Sequence, residues 1–410
     1  MSGSSHTLRR KLLRRVGVVL QNSFYSLLVP LVNIAISFLV IRLNSPALWG
    51  SFVEIMVVLH LLTHVAAWGN KEYLLREFSR SPQDIRQVWQ TSLFSRLIFY
   101  GAICGFLLLI PGASVWVLLW GLSIVLSQSF DVLIIYRRDF ALAIGTELLT
   151  ISIMIVGIIT QGDALSITQL LALFAIATSI KCLLLCAYFR NDLILSYWKL
   201  NLTYFRQAGP FFILGFSGIL ASRIDLYTVS ILLNEQNVAE YQVFINLMLY
   251  LQALSAFILL PYVKTLYRMP DDSILRISVR LFVLGIGLVI PATLLADALL
   301  YTLYDIQYSA VFMLLGGLFV LPIYGYIPLI HRLYKNDATR IVLGVNICGA
   351  AFNLALNLLL LPIIGILGAI IASAVVQWGM LIYYHLQMRI SYVRPMPNLP
   401  TDDRPISAEA

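Results

Sequence analysis

The stretch GPFFILGFSGILASRIDLYTVSILL, from Gly209 to Leu233, is apolar nearly throughout, yet it carries Arg223 and Asp225 near its middle. A run of about 20 apolar residues is long enough to cross the hydrocarbon core of a membrane. A charged side chain at the centre of such a helix costs about 2.5–3.5 kcal/mol even on the mildest scale. The stretch therefore predicts a membrane-spanning helix whose charges serve a function.

The composition extends this prediction to the whole chain. Of its 410 residues, 60% are hydrophobic and 12% are charged, whereas a soluble domain carries about twice that charged fraction. The four cysteines lie inside apolar runs and have neither the spacing of a disulfide framework nor that of a metal site. We expect an all-α integral membrane protein without a metal or other cofactor.

Apolar runs predict twelve membrane spans. Their ranges are 17–41, 47–69, 88–110, 115–136, 140–160, 167–189, 209–233, 238–261, 276–298, 308–330, 339–361 and 364–388. The first run is longer than the apolar region of a signal peptide and has no small-residue cleavage site, so it is predicted to remain as a helix.

Basic residues lie in alternate connections between the spans, at 9–15, 71–86, 137–138, 190–206, 264–276, 332–335 and 389–404. The positive-inside rule then predicts that both termini are cytoplasmic. The net charge of +8 is largely this orientation signal, so no nucleic-acid partner is expected. The opposite connections are only a few residues long and leave no room for a catalytic domain, which argues against an enzyme.

The chain resembles two copies of one six-helix unit. A shift of 190 residues places Leu43 and Asn44 on Leu233 and Asn234. A parallel repeat of this kind predicts two lobes with a binding site between them near the midplane. The predicted divisions are a basic cytoplasmic N-terminus (1–16), an N-lobe (17–190), a linker on the cytoplasmic surface (191–208), a C-lobe (209–388) and a cytoplasmic tail (389–410).

Polar residues share faces on several predicted helices, and the repeat relates those faces to each other. The shift maps Asn33 onto Arg223 and His60 onto Tyr250. Because an α-helix turns about 100° per residue, Tyr227 shares the face of Arg223, whereas Asp225 lies about 200° away from it. We therefore expect Arg223 to face a central cavity and Asp225 to face a neighbouring helix. The stripe Gln242, Asn246, Tyr250 is expected to face the same cavity.

The remaining intramembrane charges have two interpretations each. Arg96 and Lys181 lie in the cytoplasmic halves of their spans, where ligand binding and snorkelling to the headgroups both explain them. Glu54, Glu147 and Asp131, together with Asp225, are candidates for binding a coupling ion, H⁺ or Na⁺. For His60 and His64 the sequence favours packing or interhelical hydrogen bonds over a role in binding.

Several motifs resemble those of bacterial polysaccharide (O-antigen type) flippases, within the multidrug/oligosaccharidyl-lipid/polysaccharide exporter superfamily. They are RLNSPALWGSF with AAWGNKEYLLREFSR, ASRIDLYTVSILLNEQNVAEYQVF, and NICGAAFNLALNLLLLPIIGILGAIIAS. The resemblance implies two six-helix lobes around a lumen in the bacterial inner membrane. It also implies ion-coupled translocation of a polyprenyl-diphosphate-linked oligosaccharide to the outer leaflet, with a polysaccharide polymerase or ligase as a possible partner.

These observations give a leading hypothesis and an alternative. In the leading hypothesis, Arg223, helped by Arg96 and Lys181, binds the diphosphate, while Asn33, Tyr227, Asn246 and Tyr250 contact the sugars. The alternative is a cation-coupled drug antiporter of the same superfamily, which should present acidic residues to its cavity. The lipid II flippase branch of the superfamily typically has two helices more than the twelve predicted here, which argues against that branch. A membrane glycosyltransferase or polymerase would need large outer loops, whereas the outer connections here are short. A purely structural scaffold would leave the polar stripes unexplained.

Overall fold

The computed structural model describes residues 28, 30–107, 114–193, 195–259, 262–336 and 338–393, and every regular element among them is helical. The first half contains α1 (Pro30–Leu43), α2 (Pro46–Ala67), α3 (Asn70–Arg80), α4 (Ile85–Leu107), α5 (Val115–Arg137), α6 (Phe140–Gln161) and α7 (Ile167–Tyr188). The second half contains α8 (Leu202–Leu232), α9 (Glu235–Leu259), α10 (Val263–Leu266), α11 (Asp271–Leu299), α12 (Ala310–Lys335), α13 (Thr339–Ile364) and α14 (Ile366–Val393).

The predicted fold class is confirmed. Within the described residues, 10 helical segments are long and apolar enough to cross a membrane. Two further predicted spans coincide with α1, whose described part is shorter, and with α4. The predicted N-terminal segment 1–16, the start of the first span and most of the tail 389–410 lie outside the described residues.

Besides the four-residue α10, two helical segments at the basic end of the bundle, where the basic connections lie, were not predicted. One is α3, which follows α2 after Trp68 and Gly69 adopt left-handed backbone conformations with φ of 45° and 64°. A Cβ at Gly69 would also lie 2.5 Å from the backbone nitrogen of Phe212 on α8. The other is the first part of α8, which begins inside the predicted linker because the side chain of Asn201 caps it by accepting from the Tyr204 N–H.

Each half packs into its own bundle. In the first half, α7 lies against α5 and α6, and α2 packs on α5. In the second half, α12 packs against α11 and α14, while α13 packs against α8 and α14. Buried aromatic rings fill the first bundle, since Phe52 stacks between Trp49 and Trp120 at centroid distances of 5.2 and 5.4 Å. We call these two bundles the N-lobe (α1–α7) and the C-lobe (α8–α14).

The lobes meet tightly at the end of the bundle opposite the basic connections, which we call the far end. There α2 packs on α9, and a Cβ at Gly50 would overlap the backbone carbonyl of Glu235. The indole N–H of Trp49 donates to Oε1 of Gln242 at 2.9 Å. The hydroxyls of Ser37 and Tyr304 also lie 2.9 Å apart. Only glycine permits this approach of α2 to α9, so the lobes are closed together at the far end.

A second interlobe contact lies at the basic end, where α2 and α3 meet α8. The indole N–H of Trp68 donates to the carbonyl of Phe205 at 2.8 Å, and its ring stacks on Phe212 at a centroid distance of 4.2 Å. The hydroxyl of Tyr73 donates to Oε1 of Gln207 at 2.7 Å. Because α2 contacts α9 at one end and α8 at the other, a space remains between the lobes at mid-height.

Candidate functional site: a polar cavity between the lobes

A cavity of about 390 Å³ occupies the space between the two interlobe contacts. Helices α1, α2, α5 and α7 line it from the N-lobe, and α8 and α9 line it from the C-lobe. Its polar lining includes Asn33, His60, Gln128, Arg223, Gln242 and Asn246. Apolar lining such as Phe174 and Leu226 surrounds these groups. Converging polar groups in an otherwise apolar cleft between lobes are typical of a ligand site.

Arg223 is the charged centre of this cavity. It is half-buried, and its guanidinium Nη1 donates to Oδ1 of Asn246 at 2.7 Å. None of the ion pairs found in the described part of the chain includes Arg223. A guanidinium has five N–H donors in a planar fork that fits carboxylate and phosphate oxygens. One neutral partner therefore leaves Arg223 with the charge and most of the donors needed to bind an anion.

The described residues that line the cavity include no aspartate or glutamate. Arg223 is the permanent cation among them, and the two histidines are the other basic groups. A cavity that carries a permanent positive charge and no carboxylate attracts anions and repels cations.

Residues that the repeat relates lie on both sides of this cavity. Asn33 on α1 and its counterpart Arg223 on α8 both line it, and Tyr227 lines it one turn from Arg223. Tyr250 is half-buried outside the lining residues, where its side chain lies near Asn33. Four predicted substrate-binding residues, Asn33, Arg223, Tyr227 and Asn246, are thus brought together.

The other two predicted substrate-binding residues, Arg96 and Lys181, lie away from the cavity lining. Arg96 is fully buried between α4 and α5, where its Nη2 donates to Oγ of Ser129 at 2.5 Å. Lys181 on α7 donates to Oε2 of Glu147 on α6 at 2.6 Å, and only 13% and 14% of the two side chains are exposed. Both cations point into the interior of the N-lobe, so neither is placed beside Arg223.

Asp225 points away from Arg223, as the helical rotation predicts. Its side chain is 2% exposed. Oδ2 accepts hydrogen bonds from the Tyr241 hydroxyl at 2.6 Å and from Oγ of Ser373 at 3.0 Å, and Oδ1 accepts from the N–H of Leu226 at 2.8 Å. Asn353 donates in turn to Oγ of Ser373 at 3.3 Å. The carboxylate is therefore the centre of a polar network inside the C-lobe, between α8, α9, α13 and α14.

The remaining coupling-ion candidates lie in other surroundings. Glu147 is paired with Lys181, as described above. Glu54 is half-buried on α2, one turn from Gly50, and interacts electrostatically with Glu235 of the C-lobe. Asp131 is half-buried on α5 and has an interaction partner. On the same helix, Ser123 lies 2.9 Å from Oγ of Ser179 on α7, so the polar stripe of α5 joins two helices of the N-lobe.

Sequence reasoning missed His60, His64 and Gln128 as cavity residues. The available signal for His60 was its position in the repeat, because its counterpart Tyr250 belongs to a predicted cavity stripe. His60 is exposed although it lies in the middle of α2, and the space that exposes it is the cavity.

Similarity to known proteins is found in the fold. No protein-family model matches the sequence, and no curated protein matches it by sequence. Lipid II flippase MurJ in an inward closed conformation superposes with a TM-score of 0.63 at 13% identity, covering 91% of this chain and 87% of MurJ.

Two solved structures of a multidrug resistance MATE family transporter of the MOP superfamily also match. The inward-facing conformation has a TM-score of 0.62 at 13% identity and covers 92% of this chain and 99% of the other. The outward-facing conformation has a TM-score of 0.57 at 14% identity, with coverage of 92% and 95%. The chain therefore has the fold that lipid II flippase MurJ and these MATE transporters share.

Proposed function

We propose that this protein is a flippase that moves a polyprenyl-diphosphate-linked oligosaccharide from the cytoplasmic to the outer leaflet of the bacterial inner membrane. The observation that carries the proposal is the cavity between the lobes, whose lining in the described part of the chain includes Arg223 and no carboxylate. A diphosphate is bound well by a guanidinium, which can donate two parallel hydrogen bonds to phosphate oxygens. Asn33, Tyr227, Gln242 and Asn246 offer neutral hydrogen-bonding groups for sugar hydroxyls.

The proposed transport cycle is a rocking of one lobe against the other. The interlobe contacts at the far end, Trp49 with Gln242 and Gly50 with Glu235, then have to separate when the site faces outward. By the positive-inside rule the basic end is cytoplasmic, so these contacts close the outer side in the present conformation. A polysaccharide polymerase or ligase is the expected recipient of the translocated lipid.

The alternative function is a cation-coupled drug antiporter, which shares this fold. A lipophilic cation in this cavity would lie beside Arg223 with no lining carboxylate to compensate its charge. Like charges in a site of reduced dielectric repel each other strongly. The charge of the cavity therefore favours the lipid-linked anion over the cationic drug.

Reconstitution in proteoliposomes separates the two functions. One set of vesicles contains a fluorescent polyprenyl-diphosphate oligosaccharide, and movement between leaflets is read by access of an added membrane-impermeant lectin. A second set is loaded with a lipophilic fluorescent cation and given an H⁺ or Na⁺ gradient. We expect lectin access to depend on the protein and cation movement to be independent of it. Cation transport by folded protein that leaves the lipid in place would overturn the proposal in favour of the antiporter.

We further propose that Asp225 binds the coupling ion. Its carboxylate is buried and forms no ion pair with a described residue. Its hydrogen-bond partners are two hydroxyls and one backbone N–H. Next to this network, Oδ1 of Asn357 is buried and has no hydrogen-bond partner among the residues that the structure describes. Buried intramembrane carboxylates of this kind bind protons or cations in transporters. Since Asp225 and Arg223 lie on opposite faces of α8, a shift of this helix would act on both sites.

We expect Asp225→Asn to abolish the stimulation of lipid translocation by an ion gradient while lipid binding in the cavity stays near its wild-type level. The amide removes the ionisable group and keeps the shape of the side chain. Translocation is measured with and without H⁺ and Na⁺ gradients. Glu54→Gln, measured in parallel, tests the candidate carboxylate of α2 and is expected to keep the stimulation. Unchanged stimulation in Asp225→Asn would move the coupling site elsewhere.

A further inference from the structure

His60 faces Arg223 across the cavity from the opposite lobe. Its side chain is exposed although it lies in the middle of α2, and it lines the cavity together with Arg223 and Asn246 of the C-lobe. Its ring rests edge-on against Trp120, with the centroids 6.1 Å apart. This aromatic wall fixes one side of the imidazole, while its exposed surface faces the ligand space.

His64, one turn further along α2, has different surroundings. Its ring stacks with Phe212 and Phe216 of α8 at centroid distances of 6.3 and 6.2 Å. Its Nε2 is buried and has no hydrogen-bond partner in the described part of the chain, and it lies 3.6 Å from where a Cβ would stand on Gly215. His64 therefore belongs to the packed contact between α2 and α8, whereas His60 is open to the cavity.

The ligand in the proposed function needs more positive charge than Arg223 supplies. A diphosphate linked at both ends carries two negative charges, and Arg223 is the permanent cation among the lining residues. Arg96 and Lys181 lie elsewhere in the N-lobe, so they do not supply the second charge. An imidazole, with an ordinary pKa of about 6.5, is the side chain that gains a positive charge near neutral pH.

The cation that faces His60 from α8 is Arg223, whose charge disfavours the protonated ring unless an anion lies between the two side chains. Among the lining residues, α8 presents Arg223 and Tyr227, and α2, which carries His60 itself, also presents His64. The other helices of the lining contribute, among others, Ile124 and Gln128 of α5, Phe174 of α7, and Gln242 and Asn246 of α9. Glu72 of α3 acts on His64 from the basic end. No carboxylate among the lining residues competes with a bound anion for His60.

We propose that His60 is the second headgroup-binding residue, which holds the diphosphate together with Arg223 when its imidazole is protonated. This inference rests on the proposed function. A negative headgroup between the two side chains favours the protonated ring, so binding takes up a proton and weakens as the pH rises. The two cations come from opposite lobes, so the anion draws the lobes together.

The test is the affinity of the purified protein for a short-chain polyprenyl-diphosphate monosaccharide between about pH 5.5 and about pH 8. Each phosphate of this diester keeps a single negative charge throughout, so the probe itself does not titrate. We expect wild-type affinity to fall with rising pH, by up to about tenfold per pH unit. His60→Gln should lower the affinity at acidic pH and remove this dependence. His60→Lys should keep the affinity and also remove the dependence, which a purely structural role would not produce.

The control is His385→Gln on α14, because His385 is half-buried outside the lining residues and contacts the carbonyl of Leu381. His64→Gln tests whether the neighbouring histidine is responsible instead. A His60→Gln protein that keeps the wild-type pH dependence, or wild-type binding that does not vary with pH, overturns the inference and leaves the flippase intact. Absence of probe binding by folded wild-type protein at every pH counts against the proposed function itself.

Discussion

Arg223→Ala is expected to lower translocation of the lipid-linked oligosaccharide about 100-fold, the equivalent of about 3 kcal/mol, because it removes the permanent positive charge of the cavity. Arg223→Lys keeps the charge but not the planar fork of donors, so we expect a loss of about tenfold. The same proteoliposome assay with lectin access measures both. Arg223→Ala also removes the hydrogen bond of 2.7 Å to the buried Oδ1 of Asn246, which costs about 1 kcal/mol of stability. Melting curves in detergent confirm that the variants are folded.

The matched control is Arg340→Ala. Arg340 is an exposed arginine near the start of α13 and lies outside the lining of the interlobe cavity. It carries the same charge as Arg223, so a general dependence on net charge would affect both variants alike. Equal, wild-type rates for Arg223→Ala and Arg340→Ala would leave the flippase in place but remove the headgroup from Arg223.

The second large effect is expected at Lys181. Lys181→Met leaves the carboxylate of Glu147 in a site where only 14% of that side chain is exposed. Removing one partner of a buried ion pair destabilises a protein by about 3 kcal/mol or more, because the remaining charge is uncompensated. We therefore expect Lys181→Met to melt at a clearly lower temperature than the wild type, as followed by size-exclusion chromatography of heated samples.

The double variant Glu147→Gln/Lys181→Met removes both charges and should recover most of this loss. Lys181 has a further interaction, but both variants lose it equally, so the comparison isolates the charge of Glu147. The double variant also separates two roles for Lys181. If the lysine only joins α6 to α7, the folded double variant keeps its translocation rate; a folded but inactive double variant would return Lys181 to the transport pathway.

Much of the fold was predictable because each membrane span corresponds to a continuous apolar run of sequence. In lipid a backbone must satisfy its hydrogen bonds within one segment, so each long apolar run becomes a helix. The ten long apolar segments, with α1 and α4, fall on the predicted spans for this reason. The same logic missed α3, because an 11-residue helix with exposed basic residues and a buried Tyr73, Leu74 and Phe78 is a surface element. Its start depends on left-handed backbone at Trp68 and Gly69, which hydropathy does not record.

The rotation of one helix was also predictable. Arg223 and Asp225 are two residues apart on α8, so their directions differ whatever surrounds them. The sequence accordingly separated a cavity-facing arginine from a carboxylate directed elsewhere. The repeat added that Asn33 of the N-lobe should face the same space.

The sequence by itself therefore determined the spans, the twofold repeat and the relative directions of side chains within a helix. Only the tertiary structure decided which of those directions lead to the cavity. Arg96 and Lys181 sit on apolar helices as Arg223 does, yet the packing of α4 on α5 and of α6 on α7 encloses them within the N-lobe. His60 faces the cavity because α2 contacts α9 at one end and α8 at the other, which leaves its middle uncovered. The physical reason is that the periodicity of a helix fixes only the relative directions of its side chains around its own axis. What each side chain faces depends on which helices pack against that helix.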